Sequence, residues 1–327
     1  MQQEDIRPKE IFDRFLELSR DDIARHFFSG HDESWRSVNC PLCGSIGTGF
    51  IAKDKFNYDR CCSCDTVYIN PVPDQSSFES FYTTSKAAKY WNDVFYPITR
   101  EARIEHIWKR RVSQVLALFE KSRFDTRPSV VDIGGGVGDF AELLIEEGID
   151  VIVVEPNPWM ADTLKRKGIN VINKFCQDVR IGDLGGGPFL FTSFELFEHL
   201  INPSEFVQSI ANLMIKGDLF LMTTLSGCGL DIDVLRERSK SLCPPHHVCF
   251  ANLNALRGLF ETKGLSVLSA RTPGRLDMSI LRDQCEDIHD PFLKMLVTNS
   301  DDDLLDRIQN LIANNNMSSH IEILAKK

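Results

Sequence analysis

The sequence predicts an α/β fold in which helices cover both faces of a mostly parallel sheet. Strand-like and helix-like segments alternate from about residue 126 to residue 327, as they do in doubly wound sheets. A glycine-rich turn, VVDIGGGVGDF (130–140), joins the first of these strands to a helix. Nearer the N-terminus, four cysteines in the pattern C-x2-C-x17-C-x2-C indicate a small module that precedes the sheet.

Seven strands are predicted in the sheet, and helices fill most of the intervals between them. Short apolar runs bounded by turn residues mark the strands, and Gly148 and Gly168 end the first two helices. The predicted strands are 129–133, 150–155, 171–172, 190–194, 219–224, 265–270 and 321–325, and the predicted helices are 139–147, 159–167, 204–215 and 253–262. Because ligands bind at the carboxyl ends of parallel strands, we expect the functional residues in the loops there.

The segments outside this alternation define the domain organisation. Helical periodicity covers residues 4–28, a polar linker is predicted at 31–38, and a short strand at 66–70 is followed by the breaker PVP. The predicted divisions are an N-terminal helical segment at 1–37, the cysteine module at 38–75, a helical bridge at 76–125, the sheet domain at 126–327 and a helical insertion within it at about 275–317. We interpret the insertion as a lid or a dimer contact.

The cysteine module is typical of a structural zinc site. Cys40, Cys43, Cys61 and Cys64 supply two thiolate pairs, the set that closes a tetrahedron around one ion. Because these four ligands fill every position, the metal is predicted to be structural rather than catalytic. Cys62 is the alternative to Cys61. Four unrelated buried thiols or a redox-active cysteine pair are the competing interpretations.

The charge balance argues against a polynucleotide substrate. The formal net charge is −10 and the pI is about 5.3, whereas nucleic-acid binders normally carry a basic surplus. No apolar run approaches the length of a membrane span, and the first residues lack the order of a signal peptide. Ten cysteines with metal-type spacing suit a reducing compartment. We therefore expect a cytoplasmic protein, a monomer or homodimer, whose partner is a small-molecule substrate and not a membrane.

The glycine-rich turn predicts a site for a nucleotide-like cofactor. Gly134 and Gly136 let the backbone pass close to a ligand, and Asp132 ends the strand just before them. Glu155 ends the next strand, where a carboxylate can accept hydrogen bonds from both ribose hydroxyls. A glycine-rich turn alone is a weak signal, since NAD enzymes use a close relative of it. The two acidic residues make the pattern more specific.

In its glycine-rich turn and the acidic residues beside it, the chain resembles a class I S-adenosylmethionine-dependent methyltransferase, which has a Rossmann-like fold. The turn at 132–138, VVEPNP (153–158) and FELFEHLINP (194–203) are similar to the signature blocks of that family. MIKGDLFLMTT (214–224) and PPHHVCFANLNALRGLFETKGL (244–265) also resemble family segments. The resemblance covers roughly residues 75–270 and the last strand. It extends to the cysteine module, because a subset of sugar C-methyltransferases and related small-molecule enzymes carries a CPxCG…CxxC zinc domain.

The resemblance implies a set of residues for S-adenosyl-L-methionine. Asp132, Gly134, Gly136 and Glu155 would hold its methionine and ribose parts. The positions implied nearby are Pro156 and Asn157 after the second strand, Gln177 or Asp178 near the adenine, and Phe194 and Glu195 at the floor of the site. For Asp178, a plain surface carboxylate is the alternative.

Three histidines fall on loops at the predicted carboxyl edge: His199, His246 and His247. Histidine titrates near neutrality and is a natural proton acceptor for methyl transfer. In the zinc-bearing sugar enzymes that the chain resembles, an acidic–His pair occupies the place of His246 and His247, and its His is the base. We therefore predict His247 as the general base and His199 as a substrate contact or auxiliary acid or base. The alternative for His199 is a helix cap or a partner for a buried carbonyl group.

The predicted function is S-adenosylmethionine-dependent methyl transfer to a small molecule, a sugar or nucleotide-activated sugar or glycan precursor, in carbohydrate biosynthesis. Two alternatives stay open. An RNA methyltransferase is one, because some ribosomal RNA enzymes also place a four-cysteine zinc module before this fold. A non-catalytic S-adenosylmethionine-binding protein is the other.

Overall fold

The computed structural model describes residues 6–28, 35–121 and 127–327. Parts of the predicted segments therefore lie outside the described residues. These parts are residues 1–5 and 29–34 of the N-terminal segment, which include half of the predicted linker, residues 122–125 of the helical bridge, and residue 126 of the sheet domain.

Strands and helices alternate along the chain from Ser129 onward, after an N-terminal part that contains both helices and three short strands. The described strands are β1 (Gly47–Lys53), β2 (Phe56–Cys61), β3 (Val67–Ile69), β4 (Ser129–Ile133), β5 (Val151–Val154), β6 (Asn170–Ile172), β7 (Phe189–Phe194), β8 (Leu219–Leu225), β9 (Cys249–Phe250), β10 (Ser266–Arg271) and β11 (His320–Lys326). The described helices are α1 (Lys9–Phe27), α2 (Gln75–Thr84), α3 (86–121), α4 (Asp139–Glu146), α5 (Pro158–Arg166), α6 (Ile181–Leu184), α7 (Pro203–Leu213), α8 (Leu230–Leu235), α9 (Leu253–Thr262), α10 (Asp277–Asp283), α11 (Pro291–Asn299) and α12 (Asp302–Asn314). Helix α3 is continuous but contains π-helical turns at Trp91–Phe95 and Ile104–Trp108.

Seven of these strands form one sheet in the order β10-β11-β8-β7-β4-β5-β6. Strands β6, β5, β4, β7 and β8 run parallel, and β11 lies antiparallel between β8 and β10. The chain order reverses where β4 lies between β5 and β7, which is the point at which doubly wound sheets bind ligands. The predicted fold class, a doubly wound and mostly parallel seven-stranded sheet, is confirmed.

Both faces of this sheet are covered. Successive strand residues point to opposite faces. Val130 therefore packs with α4 and with Val112 of α3, whereas Val131 packs on the other side with residues of α7 and α9, such as Ile210 and Phe260. The core on the second side continues without interruption into β1–β3 and α1. The cysteine module is thus built onto the sheet domain through shared apolar packing.

The cysteine module contains more strand than the sequence predicts. Strands β1 and β2 form an antiparallel hairpin through Asp54 and Lys55, which both have positive φ, and β3 pairs with β2. The sequence predicts only the segment at 66–70, because a turn of Asp and Lys lacks the glycine that usually marks such a hairpin. Strand β9, from the loop after β8, completes this second sheet in the order β1-β2-β3-β9.

The remaining helices agree with the predicted pattern in outline. The bridge is α2 and α3, and the predicted insertion consists of α10, α11 and α12, which have a small core of their own with Leu235 of α8. Its predicted role as a lid or dimer contact stays a prediction. Within residues 6–28, 35–121 and 127–327, no helix has the length and apolar character needed to cross a membrane.

Candidate active site

The glycine-rich turn leaves β4 as a compact loop with one open side. Gly134 has a φ of +76°, and a Cβ there would lie 2.9 Å from the Leu196 side chain. Gly136 also has positive φ, at +56°, but a Cβ there would meet no atom within 4 Å. Since left-handed backbone favours glycine, the loop keeps this conformation and leaves its backbone accessible at Gly136. An accessible backbone is what close approach of a cofactor requires.

Glu155, at the end of β5, is fixed beside this turn. Its Oε2 accepts a hydrogen bond from the backbone N–H of Gly136 at 3.1 Å, and its Oε1 accepts one from Asn157 N at 2.9 Å. Burial raises the pKa of Glu155, and these two N–H groups oppose that effect. Asn157 in turn caps α5 through its side chain, and the carbonyl of Pro156 accepts a hydrogen bond from Asn173. The carboxylate is therefore held in one orientation at the carboxyl edge of the sheet.

Asp132 lies beneath the turn rather than on its open side. Thr192 Oγ1 donates a hydrogen bond to Asp132 Oδ1 at 2.7 Å, and a Cβ on Gly135 would be 2.6 Å from Asp132 Oδ2. Burial raises the pKa of Asp132 to about 7, against the opposing effect of the Thr192 hydroxyl. The geometry suits a residue that shapes the turn from below.

The remaining residues that the resemblance implies for the cofactor lie at the same edge. Gln177 and Asp178 are exposed in a 3₁₀ turn that follows β6. Phe194 is buried at the end of β7, with its ring 5.1 Å from that of Phe140 and under the guanidinium of Arg111 at 4.5 Å.

Glu195 faces β8 and β11. Its Oε1 accepts hydrogen bonds from Thr223 Oγ1 at 2.7 Å and from His320 Nε2 at 2.6 Å, and the Arg111 guanidinium lies 3.6 Å away. Burial opposes ionisation of Glu195, but His320, Arg111 and the Thr223 hydroxyl together hold its pKa well below the usual range. Its positive φ of 53° is uncommon for a residue other than glycine.

The sequence did not point to His320 or Arg111 as members of this group. A signal for His320 is present in the chain, because β11 is antiparallel and its first residue therefore lies at the carboxyl edge of the other strands. Arg111 stands on the bridge helix α3, and only the packing of that helix on the sheet brings it to Glu195.

His199 and His247 lie together. His199 Nδ1 is 2.7 Å from the carbonyl oxygen of His246, and His247 Nδ1 is 2.7 Å from that of Ser241. Because a carbonyl oxygen only accepts hydrogen bonds, each Nδ1 carries the proton and each Nε2 keeps the lone pair. The two ring centroids are 4.9 Å apart. Burial lowers the pKa of both histidines, so that both rings are neutral at physiological pH.

His246 lies in a different environment. Its ring centroid is 5.1 Å from that of Phe15 and 4.9 Å from that of Phe81, and its Nε2 is 3.3 Å from Ser19 Oγ. Burial, with a smaller effect from His199, lowers its pKa to about 3. The side chain of His246 thus packs between α1 and α2, while its carbonyl oxygen orients His199.

The cysteine module is joined directly to the histidine loop. Val67 and Tyr68 of β3 pair with Phe250 and Cys249 of β9, and Ile69 N donates to the carbonyl oxygen of Val248 at 2.9 Å. These contacts follow His247 by only a few residues. They fix the backbone of the loop that carries it.

Tyr58 adds a contact to His247 itself. This side chain of β2 is fully buried, and its hydroxyl donates to the carbonyl oxygen of His247 at 2.7 Å. The module therefore contacts the predicted base through one hydrogen bond that can be removed singly.

We expect Tyr58→Phe to lower the turnover number while leaving S-adenosylmethionine affinity unchanged. The His247 carbonyl would lose its partner, which costs about 1–3 kcal/mol of folding free energy. Tyr82→Phe is the matched control, because the Tyr82 hydroxyl lies at 3.5 Å from the carbonyl oxygen of His246 and contributes little. Urea unfolding and steady-state kinetics would measure both variants. Equal behaviour of the two would contradict the proposed contact.

The four predicted cysteines form one cluster. One sulfur atom from each of Cys40, Cys43, Cys61 and Cys64 lies within 4.8 Å of the others, and the pairs Cys40–Cys64 and Cys43–Cys61 are 3.6 and 3.4 Å apart. A tetrahedral zinc with bonds of about 2.3 Å places its sulfurs about 3.8 Å apart, so the cluster fits this ion. Cys62 is exposed and lies outside the cluster.

The surroundings of the cluster favour a thiolate at Cys43, whereas burial raises the pKa of Cys40 and of Cys64. Burial raises the pKa of Cys43, but hydrogen bonds from Ser45 and the neighbouring cysteines outweigh it and lower that pKa to about 6. Ser63 N donates to Cys61 Sγ at 3.4 Å, and Thr66 Oγ1 lies 3.3 Å from Cys64 Sγ. Such outer contacts orient metal ligands.

The sheet order, the glycine-rich turn and the carboxylate at the end of β5 define a Rossmann-like domain that binds a nucleotide-type cofactor. A profile of the family described as a methyltransferase domain matches residues 101–270, more than half of the 327-residue chain. The chain belongs to this methyltransferase family, and it is a methyltransferase. A search of curated proteins found no match.

Several solved methyltransferases are similar to this chain at low identity. One from Archaeoglobus fulgidus is 17% identical with a TM-score of 0.46, over 71% of this chain and 100% of its own. The plantazolicin methyltransferase BamL, solved with a triazolic analogue and S-adenosylhomocysteine, is 16% identical with a TM-score of 0.48, over 76% of this chain and 93% of its own. Coclaurine N-methyltransferase, bound to N-methylheliamine and S-adenosylhomocysteine, is 14% identical with a TM-score of 0.42, over 66% and 71%.

Proposed function

We propose that this methyltransferase acts on a small polar acceptor, a sugar or a nucleotide-activated sugar or glycan precursor, and that His247 removes the proton of the acceptor. The observation that carries the proposal is the hydrogen bond from His247 Nδ1 to the carbonyl oxygen of Ser241 at 2.7 Å. It fixes the ring and its tautomer and leaves Nε2 as a proton acceptor at the carboxyl edge of the sheet.

When bound, S-adenosylmethionine would supply an electrophilic methyl group on its sulfonium. In our proposal Glu155 accepts the ribose hydroxyls, and the backbone of Gly134 and Gly136 borders the methionine part. The fixed orientation of Glu155 and the free space at Gly136 support this. Asp132 supports the turn from below. The other proposed cofactor residues are Pro156, Asn157, Gln177, Asp178, Phe194 and Glu195.

We expect Glu155→Gln to weaken S-adenosylmethionine binding at least tenfold. Hydrogen bonds to a charged acceptor are worth about 1.5–3 kcal/mol, and about 1.4 kcal/mol is a tenfold change in affinity. Glu147→Gln is the control, since Glu147 is an exposed residue at the end of α4. Isothermal titration with S-adenosylhomocysteine would measure both. Wild-type affinity in Glu155→Gln would contradict the ribose contact.

The other two histidines take supporting parts in this proposal. His199 is a substrate contact or auxiliary acid or base beside His247, as the 4.9 Å separation of their rings allows. His246 acts through its main chain, because its carbonyl oxygen accepts the His199 Nδ1–H.

The polar groups at this edge favour an acceptor rich in hydroxyls. Glu195, His320 and Arg111 present charged and hydrogen-bonding groups beside the turn that follows β7. Such groups can donate to and accept from sugar hydroxyls. The acidic composition of the chain continues to disfavour RNA, whose binding depends on neutralising phosphates.

We propose that the four-cysteine cluster holds one structural Zn²⁺. The sulfur separations and the absence of Cys62 from the cluster support Cys40, Cys43, Cys61 and Cys64 as its ligands. In this proposal the zinc does not contact the substrate. It stabilises β3, whose pairing with β9 fixes the loop that carries His247.

Transfer of a labelled methyl group tests the acceptor class. The purified protein would be incubated with methyl-labelled S-adenosylmethionine and, in separate reactions, free sugars, nucleotide-linked sugars and structured RNA. We expect label in a sugar fraction that depends on His247. Label in RNA alone, with steep salt dependence, would replace the proposal with the RNA alternative.

A further inference from the structure

We propose that Glu198, His199 and His247 form a second metal site, for a divalent transition ion that accepts nitrogen and oxygen ligands. One carboxylate oxygen and one ring nitrogen from each histidine lie within 4.8 Å of one another. The site is separate in sequence and in chemistry from the four cysteines. Glu198 and His199 follow β7, whereas His247 comes from the loop between β8 and β9.

The two histidines are prepared as metal ligands by their outer contacts. Metal-binding histidines commonly donate their second ring N–H to a carbonyl or carboxylate, which fixes the tautomer and the ring orientation. His199 and His247 both do this through Nδ1, each at 2.7 Å from a main-chain carbonyl oxygen. Each Nε2 therefore offers its lone pair. The planes of the two rings are inclined at 70°, so the rings do not stack.

Glu198 is held from two sides. Thr224 Oγ1 donates to its Oε2 at 2.8 Å, and Val248 N donates to its main-chain oxygen at 2.7 Å. Only 1% of Glu198 is exposed. Among the described residues no cationic side chain pairs with this buried carboxylate, and a divalent ion would supply a positive charge beside it.

The donor set limits the class of ion. Two imidazoles and one carboxylate bind zinc, cobalt or ferrous iron and leave further coordination positions open. In a tetrahedral site with metal–ligand bonds of about 2.0–2.1 Å, the ligand atoms are about 3.3 Å from one another. The three side chains, whose ligand atoms lie within 4.8 Å of one another, must therefore move closer together when the ion binds. We therefore expect this site to bind more weakly than the cysteine cluster, whose sulfurs are already close to their final separation.

Occupancy of this site would inhibit the enzyme. A metal bound to His247 Nε2 removes the lone pair that accepts the proton of the acceptor. This consequence rests on the proposed function, whereas metal binding does not.

The test is titration of the zinc-loaded protein with Co²⁺. Isothermal titration and the visible absorption of cobalt would report one further ion without the sulfur charge-transfer band of thiolate-bound cobalt. The variants are His199→Asn, His247→Asn and Glu198→Gln, and His289→Asn is the control because His289 is exposed and remote in sequence from the three ligands. Zinc content and S-adenosylhomocysteine affinity would verify that each variant is folded.

We expect one Co²⁺ to bind to the wild type and to His289→Asn, with at least tenfold weaker binding in each of the other three. Absence of a second ion in the wild type, or binding that survives all three ligand substitutions, would overturn the proposal. If Co²⁺ binds as expected but methyl transfer continues unchanged, the metal site stands and the assignment of His247 as the base falls.

Discussion

Replacing His247 by asparagine is expected to lower the turnover number by about 10²–10⁴-fold, the usual contribution of a positioned general base. The asparagine amide can still donate to the Ser241 carbonyl oxygen, which His247 Nδ1 contacts at 2.7 Å, so the loop keeps its hydrogen bond. Only Nε2 is lost. S-adenosylhomocysteine affinity should be unchanged, because the residues proposed for the cofactor lie on other loops.

The pH dependence of the wild type provides a second signature of the same residue. Burial lowers the pKa of His247 well below its usual value of about 6.5, and the positive charge that His199 would carry when protonated lowers it further. A base with a lowered pKa stays unprotonated to lower pH. The loss of turnover on acidification should therefore have its midpoint at a pH lower than about 6.5. His289→Asn should reproduce the wild-type profile. Retention of most of the turnover number by His247→Asn would contradict the assignment.

If the proposed zinc site is correct, replacing Cys61 by serine is expected to release the ion and to inactivate the enzyme without abolishing cofactor binding. A structural zinc can contribute about 10–16 kcal/mol to folding of its module at neutral pH. Without the ion, the cysteine-bearing turn at the junction of β2 and β3 is no longer held in place. We expect the pairing of β3 with β9, which fixes the histidine loop, to weaken. Because the module shares its apolar core with the sheet, the melting temperature of the whole protein should also fall.

Cys62→Ser is the matched control for this change. Cys62 is adjacent to Cys61 but is exposed and lies outside the cluster. Zinc content by atomic absorption, melting temperature and S-adenosylhomocysteine affinity would be measured for both variants. One zinc per chain in Cys61→Ser, or its loss in Cys62→Ser, would show that the ligand set is different.

The order of elements was predictable because its signals are local. Buried parallel strands appear as short apolar runs, and glycines at 148 and 168 end the helices between them, with positive φ at both. The glycine-rich turn and Glu155 are both at strand ends, so the topology alone brings them to one edge. Cys61 was preferred to Cys62 from spacing, and the cluster has the same composition.

The parts that escaped prediction depend on contacts distant in sequence. Strand β9 has only two residues, Cys249 and Phe250, which are too few to show a strand pattern in the sequence. It is a strand because it pairs with β3. Two of the partners of Glu195, Arg111 of α3 and His320 of β11, lie more than 80 residues away on either side. The sequence places His246 and His247 on the same loop at the carboxyl edge, yet their rings lie in different surroundings.

The most direct test of the account is a crystal structure of the protein with S-adenosylhomocysteine. We predict that the ribose lies on the carboxylate of Glu155 and that the sulfur faces His247 Nε2, with β9 still paired to β3 of the cysteine module. A sulfur surrounded by apolar side chains, with His247 out of reach of the methyl position, would contradict the account.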